Sequence, residues 1–221
     1  MSLKTPAWFE DVVENARERA RKRVATLRAQ YPEEHETDLG KRLVGSAASR
    51  AGWTGAATGT LALITLPIGL PAGIAASLFL EAELIFGLLE LYGLETEGEP
   101  GRLRLYALWA GAGFAGAAKS VGLRTGARAI GRVLRESLPG QIIRRLNPAL
   151  IKAILRRLGL GWVPRAMKLW PILGAPIAFV LDRAALQTLG DATLATLDDE
   201  ARALRKRQRR KRTVRLKIAR A

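Results

Sequence analysis

Thirty consecutive residues, Ala51 to Leu80, carry no charge in a 221-residue chain of which a quarter is charged. At the centre of this stretch the run TLPIGLP (65–71) sets Pro67 and Pro71 on either side of Gly69. Proline removes a helical donor and collides with the preceding turn, so the pattern predicts two apolar helices joined by a tight bend. Gly55 and Gly59 stand in G-x-x-x-G spacing, which puts both on one helix face and lets a neighbouring helix approach closely. Each arm is about fifteen residues, or about 22 Å, against about 30 Å of hydrocarbon in a bilayer. The pair is too short for two full spans. It fits a re-entrant wedge, an inward fold around a lipid-sized apolar groove, or a Gly/Ala-rich hairpin buried in a water-soluble bundle.

The flanks have the opposite character. The net charge is +16, which calls for an anionic partner. Residues 1–50 are near balance at +2 and residues 51–100 carry −6. The excess comes from residues 101–168, at +13, and from residues 202–221, at +11 with no acid. There is no cysteine, so neither a disulfide framework nor a thiolate metal site is available. The opening MSLKTPAWFEDVV has acids at once and no early apolar run, unlike a secretory signal.

Hydrophobic periodicity predicts an all-α chain. Thr5-Pro6 reads as a helix start, and Phe9, Val12, Val13, Ala16, Ala20, Val24 and Leu27 recur at spacings of three and four to about Ala29. Trp8-Phe9 suits either a core end or an interfacial anchor. After the acidic connector 31–38, Thr37 or Asp38 is placed to cap a helix from about Leu39 to near Thr65. The second arm is expected from Pro71 to Tyr92, with Gly93 as its stop. Arg50 and the pair Glu81/Glu83 then fall at one end of the hairpin, where an ion pair is expected. A third helix is predicted over 102–118, and a closing helix from about Asp182 to Arg205. Prolines 171 and 176 should bend the apolar piece before it. Three units follow: 1–36, an amphipathic helix and connector; 37–200, one helical domain around the apolar hairpin; and 201–221, a basic tail read as disordered or frayed helix because like charges repel.

The candidate anion-binding residues lie in three groups. Arg124, Arg128, Arg132 and Arg135 form a stripe at helical spacing, and Lys152, Arg156 and Arg157 line one face of the next amphipathic segment. Arg205, Lys206, Arg207, Arg209, Arg210, Lys211 and Arg212 form the core of the tail. Basic amphipathic helices suit an anionic bilayer, where each cation near the surface adds about 1 kcal/mol. A solvated face on a basic protein has the same pattern. The tail fits anionic lipid or nucleic acid equally by charge. No aromatic follows Phe179, so the tail lacks a stacking platform for single strands.

The block from Gly45 to Leu94 resembles the EcsC family, through its Gly-rich helix, the TLP-x-G-x-P bend and the helix ending Tyr92-Gly93. A weaker second block, Pro171 to Ala175, matches the late Pro-x-x-Gly-Ala element of that family. The likeness covers about residues 37–198 and leaves out the first helix and the tail. It implies a bacterial protein, a helical fold and membrane association. The namesake of the family is encoded beside an ABC transporter. The resemblance carries over no catalytic residue.

Chemistry of its own finds little support in the sequence. The one histidine, His35, lies in a polar connector, so Ser-His triads and His-rich zinc sites are poor fits. A carboxylate pair is conceivable in Glu81 with Glu83 or in Asp198 with Asp199, but residues one or two apart on a helix do not face each other. No phosphate-cradling G-x-x-x-x-G-K-[ST] string occurs. The expectation is a non-enzymatic protein without cofactor or metal, on the cytoplasmic side of the inner membrane or in the cytoplasm in equilibrium with it. It binds anionic membrane lipid or an apolar lipid-like ligand, with the basic segments holding headgroups. A nucleic-acid-associated protein and a scaffold docked on a membrane protein, such as a transporter, are the alternatives.

Overall fold

A computed structural model describes residues 7–61, 66–110 and 171–218. These residues form five helices and no strand: α1 (Ala7–Gln30), α2 (Glu36–Leu61), α3 (Leu66–Leu91), α4 (Gly98–Ala110) and α5 (Pro171–Ile218). The all-α architecture follows from the periodicity of the sequence. In α1 the predicted stripe is the buried one: Phe9, Val13, Ala16, Ala20 and Val24 all face the core, with Val12 and Leu27 at its edge.

Helix α3 is the axis of the bundle. It packs against α1, α2, α4 and α5, and every residue from Ala82 to Leu89 is buried. A helix hidden on all sides needs no polar face, which is why the apolar hairpin runs on past Leu80 into Leu84, Ile85, Phe86, Leu88 and Leu89. Helix α1 runs parallel to α3, with Arg23 beside Glu83 and Arg28 donating to the carbonyl of Leu91. Helix α2 runs antiparallel to it, with Arg50 beside Glu83 and Leu43 beside Gly87. Helix α4 covers the first helix through its aromatics: Phe9 stacks on Trp109 at 6.1 Å and lies 6.2 Å from Tyr106. Of the pair Trp8-Phe9, Phe9 is core and Trp8 is exposed.

The ends of the helices differ from expectation in instructive ways. Helix α2 starts at Glu36, and its cap is His35 rather than Thr37 or Asp38: the His35 ring nitrogen Nδ1 accepts from the Thr37 amide at 3.3 Å. A ring nitrogen at that position replaces the side-chain oxygen of the usual caps. Helix α3 begins at Leu66, not Pro71, so Pro67 falls in its first turn, where a missing N–H costs nothing. Pro71 lies one turn further in and removes one ladder bond without ending the helix. Gly93 does end it, at φ 66°. The amide of Leu94 bonds the carbonyl of Leu89 at 2.9 Å and that of Gly93 bonds Glu90 at 3.1 Å, the paired bonds of a Schellman stop. Helix α4 starts four residues before the predicted Arg102. Its tight entry depends on Gly101, where a Cβ would lie 2.2 Å from the backbone of Thr96.

Helices α2 and α5 are zipped antiparallel along their length. Phe179 sits on Gly52, Val44 on Gly190, Leu194 on Gly40, and Thr37 hydrogen-bonds Asp198. A Cβ at Gly190 would come within 2.7 Å of both γ-carbons of Val44, so glycine is what lets these two backbones meet. Helix α5 does not stop near Arg205. It continues to Ile218, 48 residues in all, or about 72 Å at 1.5 Å per residue. No glycine or proline occurs from residue 191 to 218, and Arg, Lys, Leu, Ala and Gln are good helix formers. Propensity thus outweighs the repulsion that predicted fraying. The helix also includes Pro176, which was expected to bend the segment.

Candidate functional site

The register of the bundle defines two ends. At one lie the last turns of α2, the first turns of α3 and the beginning of α5. At the other lie the start of α2, the end of α3 and the middle of α5 around Asp198.

At the first end, three large apolar side chains among the described residues are exposed. Trp53 is 71% exposed, Val180 60% and Leu181 41%. Trp53 meets Phe179 edge-on at 5.4 Å between ring centres. These side chains border the uncharged hairpin: Trp53 lies just before Gly55 and Gly59 in α2, and α5 brings Phe179, Val180 and Leu181 alongside. A small cleft of about 40 Å³ behind them is lined by Thr54, Ser77, Glu81 and Asp182 among others, roughly the room of one water molecule.

The opposite end pairs its polar groups with one another. Tyr92 and Thr37 both donate to Asp198 Oδ1, Thr37 at 2.9 Å. The Nη2 of Arg205 lies 3.4 Å from the second ring nitrogen of His35. Loss of solvent around the Tyr92 phenol, with its bond to Asp198, pushes its pKa up to about 12. Arg21 and Arg17 of α1 hold Glu97 of the acidic loop, Arg21 at 2.8 Å, and these two cations keep the Glu97 carboxyl below its usual range.

Between the ends sits a buried charge. Glu83 is 1% exposed and bonds Arg50 at 2.9 Å and Arg23 at 3.4 Å. Arg23 also donates to Ser46 at 2.8 Å. The expected ion pair at Arg50 therefore forms with Glu83, and α1 adds a second guanidinium. Burial and the neighbouring Arg50 charge lower the pKa of Arg23. Glu81 takes a different course and accepts from the indole nitrogen of Trp109. Asp198 and Asp199 part in the same way, Asp199 pairing with Arg202 at 3.6 Å. Neither carboxylate pair shares a cleft. Among the described residues no group of three or more His, Asp or Glu gathers as a metal site.

The sequence-predicted residues distribute as follows. Gly55 and Gly59 lie in the last two turns of α2, and Pro67, Gly69 and Pro71 in the first two turns of α3, all at the apolar end. Arg205 and Lys206 are exposed on α5, and Arg207, Arg209, Arg210, Lys211 and Arg212 follow in the same helix. Because α5 runs from Phe179 at the apolar end to Asp198 at the polar end, the tail leaves the bundle on the side away from the hairpin. The structure does not bring these two groups together. Arg124, Arg128, Arg132, Arg135, Lys152, Arg156 and Arg157 lie outside the described residues. Sequence reasoning missed Trp53, Val180 and Leu181. Their signal was present in the flanks of the two uncharged segments, and the α2–α5 register brings Trp53 against Phe179, the residue before Val180.

The described residues form a helical bundle with exposed apolar side chains at one end and a long basic helical arm at the other. The chain matches no known protein family, no curated protein and no solved structure. Among the described residues, no helix is long and apolar enough to cross a membrane.

Proposed function

We propose that this is a non-enzymatic protein of an anionic membrane surface, seated through the apolar end of its bundle. The observation that carries this reading is the exposure of Trp53, Val180 and Leu181 beside the charge-free hairpin. A fully buried large apolar side chain contributes about 1.5–3 kcal/mol. Three residues that are about half exposed gain roughly 3 kcal/mol on entering the interface, too little for stable attachment alone. The remainder has to be electrostatic, at about 1 kcal/mol per cation near the headgroups. Residues 111–168, at +11, supply that charge in the sequence segment between α4 and α5. A tryptophan at the rim fits the headgroup layer, where its ring is apolar and its N–H is wet. The EcsC resemblance is in keeping with a site on the cytoplasmic face of a bacterial membrane, with a transporter as a possible neighbour.

The test is co-sedimentation of the full chain with vesicles. Binding to vesicles containing about a third anionic lipid is expected at low salt, with a large loss at 0.5 M salt and little binding to neutral vesicles. Equal recovery with neutral and anionic vesicles, or no recovery with either, contradicts the proposal.

A further inference from the structure

We infer that the basic arm of α5, from Arg205 to Ile218, is a binding element for duplex nucleic acid. This rests on the course of α5 and on charge, and it does not depend on the lipid reading of the apolar end. The last described contacts along the α2–α5 seam are Thr37 on Asp198 and His35 beside Arg205. Beyond them the helix runs thirteen further residues to Ile218, about 20 Å, pointing away from the hairpin.

Helicity turns composition into geometry. Seven of the eight residues 205–212 are Lys or Arg. Eight helical residues rise about 12 Å, so this first part of the arm carries one positive charge per about 1.7 Å of axis, against about 2.3 Å over the whole arm to Ile218. Duplex DNA carries one negative charge per about 1.7 Å of its own axis. At 100° per residue, these seven register positions encircle the helix and leave no apolar stripe. A helix lying on a bilayer needs such a stripe to bury. A cation-encircled rod instead matches a groove with phosphates on both walls, and the major groove admits an α-helix. The arm has no aromatic residue on which bases could stack, which favours a duplex over a single strand.

The experiment is fluorescence anisotropy of the full chain with a labelled 20-base-pair duplex at 50, 100 and 200 mM salt. The comparison variant carries Arg207, Arg209, Arg210, Lys211 and Arg212→Gln and keeps Arg205 beside His35. The parent should show a steep fall of affinity with salt. The variant should lose about four to five units of the log–log slope, at about 0.9 per phosphate contact, and about 100-fold or more in affinity at 100 mM. A second variant with the four arginines of that set changed to Lys keeps the charge and should stay within about tenfold of the parent. Anionic vesicles form the parallel arm, and the glutamine variant should pellet with them as the parent does. The inference is overturned if the parent does not bind the duplex at 50 mM salt, or if the glutamine variant binds it within threefold of the parent. Tighter binding of a single strand than of the duplex overturns it too. So does a loss of vesicle binding in the glutamine variant as large as its loss of duplex binding, which would assign the arm to lipid. Failure of the parent to bind vesicles counts against the membrane proposal alone.

Discussion

The two ends of this bundle are built from the same helices and satisfy opposite needs. At the Asp198 end every prominent polar group has a protein partner: Tyr92 and Thr37 on Asp198, His35 capping α2, Arg21 on Glu97. At the Trp53 end the large apolar side chains stand in solvent. A chain selected for a self-contained bundle would close both ends, because exposed tryptophan, valine and leucine gain nothing from water. The difference separates an end whose described polar groups pair within the fold from an end whose described large apolar side chains do not, and the proposed seat on a membrane surface rests on the second.

The largest expected effect tests the link between the ends. Glu83→Ala leaves two guanidiniums facing each other without a counter-charge, and loss of one partner of a buried pair costs about 3–5 kcal/mol. A shift of the urea midpoint of that size is expected. A change below 1 kcal/mol would mean that the cluster does not tie α1, α2 and α3 together. Next comes the α2–α5 seam. Gly190→Ala drives a methyl into Val44 and should cost about 1–3 kcal/mol, read in the same way. A neutral result would mean that the seam yields and the register separating the ends is loose.

The closed end has a pH signature. Below pH 10 the Tyr92 phenol is neutral in both folded and unfolded chains. Its folded pKa is raised to about 12, so its contribution is full below about pH 10 and is lost as pH rises through 12. Tyr92→Phe should cost about 1 kcal/mol at neutral pH through the lost hydrogen bond. It should also remove this part of the alkaline decline, measured by thermal melts from pH 8 to 12. An unchanged alkaline profile would show that the phenol is not held by Asp198. The smallest stability effect belongs to the open end. Trp53→Ser should change stability by no more than about 0.5 kcal/mol yet weaken vesicle binding about fivefold, as expected for roughly 1 kcal/mol of interfacial contact. A large loss of stability with unchanged vesicle binding would make Trp53 a core residue and reverse the contrast.

Much of the architecture was legible because it depends on local pattern. The stripe of α1 from Phe9 to Val24 follows from spacing alone, and Gly93 announces the end of α3 because a positive φ suits glycine. An ion pair of Arg50 with Glu81 or Glu83 could be anticipated from where the hairpin closes, but not that Glu83 takes it while Glu81 turns to Trp109. Features set by tertiary register could not. Nothing local marks Gly40, Gly52 and Gly190 as close approaches, since each depends on which side chain of the facing helix lies opposite: Leu194, Phe179 and Val44. The second guanidinium on Glu83 comes from a helix sixty residues away in sequence. The arm was misread for a different reason: charge repulsion argued against order, while an uninterrupted run of good helix formers carried α5 to Ile218. The exposed end was half legible, since its uncharged segments stood out while the contact of Trp53 with Phe179, next to Val180, waited on the fold.

The central claim is that the apolar end meets lipid while the basic arm points away from it. The absence of native cysteine allows it to be read with single labels, at Val180→Cys for the apolar end and at Arg212→Cys for the arm. Each labelled full-length chain is bound to anionic vesicles containing a lipid-borne quencher. Strong quenching at residue 180 with an aqueous, unquenched label at residue 212 is the predicted result. Equal quenching at both positions, or quenching at 212 alone, would contradict it.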